Sequence, residues 1–62
     1  KMPILRVQMI EGRTQEQKQA LVDGLTKVVC ETCDQTPDRV RILLEEMPKE
    51  NYAIGGVFVK DM

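Results

Sequence analysis

Pro3-Ile4-Leu5-Arg6-Val7-Gln8-Met9-Ile10-Glu11-Gly12-Arg13 is the stretch that decides how the rest of this chain folds. Leu5, Val7 and Met9 fall on one face, and Ile4, Arg6, Gln8 and Ile10 on the other. That period of two is the signature of a strand with one mostly apolar face and one mixed face. Gly12 suits a tight turn after it. Pro3 has two readings at this stage: the first residue of an edge strand, where its missing N–H costs nothing, or a reactive amine.

Downstream, Thr14-Gln15-Glu16-Gln17 has the form of a capping box, with Thr14 accepting from the N–H three residues on and Gln17 reaching back. Leu21, Leu25, Val28, Val29 and Thr32 then recur at helical spacing, opposite Glu16, Lys18, Gln19, Asp23, Lys27 and Glu31. This predicts an amphipathic helix of about five turns with one apolar stripe. Gly24 inside it costs about 1 kcal/mol relative to alanine, a cost that close packing on a sheet would justify. The helix is expected to stop around Cys33-Asp34-Gln35, and Thr36-Pro37-Asp38-Arg39 reads as a cap and a single further turn.

Val40 to Met47 reads as the second strand, with Val40, Ile42 and Leu44 on one face and Arg41, Leu43 and Glu45 on the other. Pro48-Lys49-Glu50-Asn51 reads as a polar loop. Tyr52-Ala53-Ile54, the turn signal Gly55-Gly56 and Val57-Phe58-Val59 suggest a short closing hairpin. The expected fold class is α/β (α+β): a single βαβ unit with parallel strands plus a short C-terminal hairpin, one domain over residues 1–62.

A domain of 62 residues is marginal alone, because at this size only about 60% of the unfolded surface is buried. Disulfides, a metal or partner subunits are the usual remedies. Cys30 and Cys33 are the only cysteines and there is no histidine, so no zinc quartet is available. One helix covers one face of a two-stranded sheet; the open face and edges carry Ile, Leu and Val and predict an interface between copies.

Net charge is −1 with both signs interspersed, and Tyr52 and Phe58 are the only aromatics. A nucleic-acid surface would need a clustered positive face or stacking platforms. No run approaches the ~20 apolar residues of a membrane helix. Nothing resembles a secretion signal, so a cytoplasmic setting is expected, with neither nucleic acid nor membrane as partner.

Cys30-Glu31-Thr32-Cys33 has the spacing of a redox motif, but it lies near the C-terminal end of the helix, where the dipole raises a thiol pKa instead of lowering it. The pair reads as small, partly buried residues. Glu45 and Glu46 point to opposite faces of a strand and form no common site. Arg13 at the strand-to-helix turn and Arg41 early in the second strand, together with an amine at Pro3, suggest a site for an anionic substrate, since guanidinium matches carboxylate in a bidentate fork.

Pro3-Ile4, Glu11-Gly12-Arg13-Thr14, Glu16-Gln17-Lys18, Val40-Arg41-Ile42, Glu46-Met47 and Tyr52-Ala53-Ile54-Gly55-Gly56 together resemble the 4-oxalocrotonate tautomerase family, over essentially Pro3 to Gly56 without a gap. The resemblance implies a cofactor-independent isomerase whose amino-terminal proline, here Pro3, is the catalytic base. It implies that Arg13 and Arg41 hold substrate oxygens, that Tyr52 lines the apolar pocket and that the backbone N–H of Ile10 helps to bind substrate. The implied substrate is a small carboxylate or dicarboxylate such as 2-hydroxymuconate, with no metal or cofactor. The implied assembly pairs βαβ units into dimers and commonly hexamers, a trimer of dimers, with the site shared between subunits.

Two departures stand out. Lys1-Met2 precede Pro3 and make its nitrogen an amide. The expectation is that Lys1 is not native and that Met2 is an initiator removed before proline; a linker or tag remnant, or a longer fused chain, is the alternative. The chain also closes on Lys60-Asp61-Met62 without an arginine cluster. Related haloacrylate dehalogenases carry a water-activating carboxylate and an extra arginine where this chain has Ile54 and Ile10, which favours tautomerisation over hydration. With Pro3 blocked, the chain would instead be a structural subunit of a mixed oligomer that lends Arg13 or Arg41 to a neighbour.

Overall fold

The computed structural model describes residues 2–62. The opening segment forms β1, Ile4–Ile10, and Gly12, at a φ of 128° that only glycine adopts freely, turns the chain into α1, Gln15–Cys33. The capping box is complete: the Thr14 hydroxyl accepts from the Gln17 N–H at 3.1 Å, and the Gln17 side-chain oxygen accepts from the Thr14 N–H at 2.9 Å. At the other end Asp34 takes the left-handed conformation, φ 54°, and its N–H returns to the carbonyl of Cys30.

A single 3₁₀ turn, Pro37–Arg39, leads into β2, Arg41–Met47, one residue shorter than the sequence suggests because the Val40 N–H is taken by the carbonyl of Pro37. The Thr36 hydroxyl does not cap this turn; it bonds the Asp38 carboxylate at 2.6 Å. β1 and β2 pair in parallel from Ile4↔Arg41 to Ile10↔Met47. The expected polar loop after β2 is a second 3₁₀ turn, Lys49–Asn51. β3, Ala53–Ile54, and β4, Val57–Phe58, form the antiparallel hairpin, joined by Gly55 and Gly56, both at positive φ as a two-residue hairpin turn requires. Val59 belongs to the final 3₁₀ turn, Val59–Asp61, not to the strand.

The sheet has two unlike faces. Leu5, Val7, Met9, Ile42 and Leu44 are half-buried on the face α1 covers, and Lys18 of α1 pairs with Glu46 of β2 at 2.5 Å across that layer. The helical stripe is rotated from the expected one. Lys18, Leu21, Val22, Leu25, Thr26, Val29 and Cys30 are the half-buried positions in it, whereas Thr32 is exposed and Val28 is 54% exposed. Val22 completes the i, i+3, i+4 pattern from Lys18, and Val28 lies one position too far round. Gly24 is not held by close packing either: a Cβ there would meet nothing within 4 Å.

Among the described residues none is fully buried. The radius of gyration is 14.6 Å, against about 10.5 Å for a compact domain of this length. The accessible surface is 4905 Å², against about 4,100 Å² for a compact monomer of this mass. Ile4 and Leu43 on the uncovered sheet face are 71% and 51% exposed, and Ile54, Val57 and Phe58 of the hairpin are each more than two-fifths exposed. The protomer is half of a core.

Candidate active site

The carboxyl ends of the parallel strands, the usual ligand end of such sheets, carry a cleft of about 390 Å³ lined by Gln8, Met9, Ile10, Arg13, Met47 and Tyr52. β1 ends here at Ile10, and the Gly12 turn swings Arg13 back so that its Nη1 donates to the carbonyl of Ile10 at 2.8 Å. One donor of the guanidinium fork is thereby tied to the backbone, which aims the remaining ones. The ladder continues one residue past β1, with the Glu11 N–H donating to the carbonyl of Met47 at 2.9 Å. Amides alternate in direction along a strand, so the Ile10 N–H faces the free edge of β1. Tyr52, 43% exposed, closes the cleft from the side, and its carbonyl accepts from the Val59 N–H at 2.8 Å, which ties the hairpin and tail to this corner.

Pro3 and Arg41 lie at the opposite end of the sheet. The Arg41 N–H donates to the carbonyl of Pro3 at 3.0 Å, so the two residues start their strands side by side. Arg41 also donates from Nη1 to the carbonyl of Asp38 and from Nη2 to the Met2 sulfur, each at 3.3 Å. From Ile4 to Ile10 is six strand steps, about 20 Å. The five residues singled out by sequence therefore divide within one protomer: Ile10, Arg13 and Tyr52 at the cleft, Pro3 and Arg41 at the far end. The expectation about Met2 concerns a residue seen against Arg41; that about Lys1 lies outside the described residues.

Gln8 and Met47 were not singled out from sequence as site residues. The signal was present in the strand period: Gln8 shares a face with Ile10, and the parallel register sets Met47 opposite Ile10. On the same face Arg6 clamps Glu45 with two bonds, Nε to Oε1 at 3.1 Å and Nη2 to Oε2 at 2.7 Å. Those hydrogen bonds from Arg6 hold the Glu45 carboxyl below the ordinary carboxylate range against partial desolvation. Glu45 and Glu46 thus serve opposite faces with different partners. Cys30 and Cys33 are free thiols in the last turn of α1. Among the described residues no cluster of three or more metal-ligating side chains occurs, and no helix is long and apolar enough to cross a membrane.

Comparison with known proteins points one way. The family model for tautomerase enzymes matches residues 3–62. A probable tautomerase of Halalkalibacterium halodurans is 43% identical over 60 residues, covering 97% of this chain and 98% of that protein. The 2-hydroxymuconate tautomerase of Bacillus subtilis is 43% identical over 61 residues, covering 98% of each. Among solved structures, a homologue of 4-oxalocrotonate tautomerase superposes with a TM-score of 0.90 at 42% identity, over 97% of this chain and 98% of the other. A heterohexamer 4-oxalocrotonate tautomerase from Chloroflexus aurantiacus superposes with a TM-score of 0.90 at 31% identity, over 98% of both.

Proposed function

This chain belongs to the tautomerase family and is an isomerase of that kind, and from that premise we propose that it moves a proton along a small dienol carboxylate such as 2-hydroxymuconate, with the amine of Pro3 as the base. The observation that carries the reading is the division of the candidate residues. A guanidinium, a backbone N–H and an aromatic ring converge on a cleft that lacks a base, while a proline and a second arginine sit about 20 Å away beside an uncovered sheet. Two copies supply both halves at one place. A protomer with no fully buried residue among those described needs such partners in any case, and the free edge of β1 with the exposed Ile4 and Leu43 of the uncovered sheet face offers the surface.

The chemistry follows from the groups. With Met2 removed, Pro3 carries a secondary amine. An apolar cleft and a nearby guanidinium disfavour its charged form and bring it toward neutrality, where a base is most effective. The amine takes the proton from the 2-hydroxyl; the C–O bond becomes a carbonyl, the double bonds shift, and the proton returns to a carbon of the conjugated system. Arg41 stabilises the oxyanion that develops and the adjacent carboxylate. Arg13 holds the far carboxylate, and the Ile10 N–H and Tyr52 complete the pocket. Removal of Met2 frees the nitrogen and also the Arg41 donor its sulfur occupies. A cytoplasmic setting and a homo-oligomer, with the hexamer as its form, are part of the same reading.

The test is ketonisation of 2-hydroxymuconate, followed by absorbance, with protein whose mass shows that it begins at Pro3. Pro3→Ala is expected to lower kcat by about 10²–10⁴-fold, the usual worth of a positioned base. Undiminished turnover in protein that retains Met2, whose Pro3 nitrogen is an amide, would show that the amine is not the base.

A further inference from the structure

Of the three ion pairs among the described residues, Lys18–Glu46 is the least exposed, with side-chain exposures of 22% and 26%. It lies on the sheet face that α1 covers, so it is complete within one protomer. Among the described residues it is also the one hydrogen bond that joins α1 to the sheet. The rest of that layer is held by apolar contact, which sets how close the helix comes but has no direction and tolerates sliding along the axis. A charge-assisted hydrogen bond joins two points and resists such sliding.

Both ends of the pair lead to the cleft. Glu46 is followed by Met47, which lines the cleft and whose carbonyl takes the Glu11 N–H. Lys18 lies one helical turn from the Thr14 cap, whose carbonyl accepts the Lys18 N–H at 3.0 Å, and Arg13 directly precedes that cap. The turn between strand and helix has little packing of its own: Gly12 sits at a φ of 128°, and a Cβ there would meet nothing within 4 Å. Arg13 therefore rides on the start of α1. A slide of the helix by one residue's rise, about 1.5 Å, moves the Arg13 Cα by as much relative to the cleft. Misplacement of a binding group on that scale is costly.

We infer that Lys18 and Glu46 are positioning residues for the reaction: their ion pair fixes the height of α1 on the sheet, and so the place from which Arg13 reaches substrate. Neither touches substrate; both act through Arg13. The inference rests on the dienol carboxylate reading above and adds to it the device that aims one of its binding groups.

The experiment uses enzyme that begins at Pro3 and carries Lys18→Met together with Glu46→Leu. Removing both charges leaves no unpaired one under the helix, so the fold is kept while the directional contact is lost. Glu46→Leu alone, after which the Lys18 ammonium extends to water, is a second route to the same loss. Circular dichroism and the urea midpoint check that each variant is folded. KM for 2-hydroxymuconate is expected to rise about tenfold, the worth of one hydrogen bond to a charged group, with kcat within about threefold of wild type. In an Arg13→Ala background the same double replacement is expected to change KM by less than about twofold, because the residue it aims is gone. A merely structural pair would act equally in both backgrounds. The reversed pair, Lys18→Glu with Glu46→Lys, puts a carboxylate near the start of α1, where the dipole favours it, and should recover the wild-type KM. A wild-type KM in either folded variant would overturn the assignment, and so would a rise of the same size in the Arg13→Ala background. Calorimetric binding of hexa-2,4-dienedioate, a dicarboxylate without the hydroxyl, keeps the two proposals apart. Loss of the ion pair should weaken that binding in parallel with KM, with no turnover involved, whereas the base proposal is read in kcat.

Discussion

Arg6 and Glu45 are the charged pair on which the open face turns, and their chemistry is pH-dependent in a definite sense. The bonds from Arg6 hold the Glu45 carboxyl below its ordinary range, so the folded state favours the ionised form. A group whose folded pKa lies below its unfolded value contributes stability that is complete above the unfolded value and disappears as pH falls through the folded one. Urea titrations of wild type and Glu45→Gln at one protein concentration should therefore differ near neutrality and converge in acid. A difference that stays constant across the range would show that the carboxylate's ionisation is not what the pair contributes. The pair is partly solvated, with side-chain exposures of 65% and 31%, so the difference is expected to be small.

At the scale of elements, α1 is over-determined at its start and wasteful in its middle. The capping box, the Gly12 turn and the Asp34 cap agree with one another and with the sequence. Gly24 agrees with none of them, since the space around it is empty. Gly24→Ala is expected to raise stability by about 1 kcal/mol, read as a higher urea midpoint at unchanged activity. A lower midpoint would mean that this helix face is covered in the assembly. The strands, helix and hairpin were legible because period two, period 3.6 and glycine turns are local signals: Leu5-Val7-Met9, Thr14-Gln17 and Gly55-Gly56 each declare themselves. The stripe was misread by one position at Val28 because several apolar residues in a row, Val28-Val29-Cys30, fit the helical period in more than one phase. The residues of the candidate site were legible as a set, and their division between the two ends of β1 was not. A parallel register puts β2 residues beside their β1 partners, so Arg41 joins Pro3 and Met47 joins Ile10, and no property of either residue alone reveals that.

For the whole molecule the governing fact is the missing core. A chain with no fully buried residue among those described, and with Ile4 and Leu43 facing outward, is stable only where copies cover each other. Leu43→Lys would change an isolated protomer little, within about 0.5 kcal/mol for an exposed position. In an assembly that buries this face it sets an unpaired charge in the interface. Sedimentation velocity is expected to show the variant falling to a smaller species at concentrations where wild type stays assembled; an unchanged sedimentation coefficient would place the interface elsewhere.

The measurement that reaches furthest mixes two crippled enzymes. Pro3→Ala and Arg13→Ala chains, each processed to begin at residue 3, are unfolded together in urea, refolded as a mixture and assayed with 2-hydroxymuconate. Sites built from two copies unite the intact Pro3 of one chain with the intact Arg13 of another, and turnover should rise well above that of either variant refolded alone. A mixture no more active than its two components at any ratio would contradict a site shared between copies, and with it the account of how a proline and an arginine at opposite ends of one strand come to act on the same molecule.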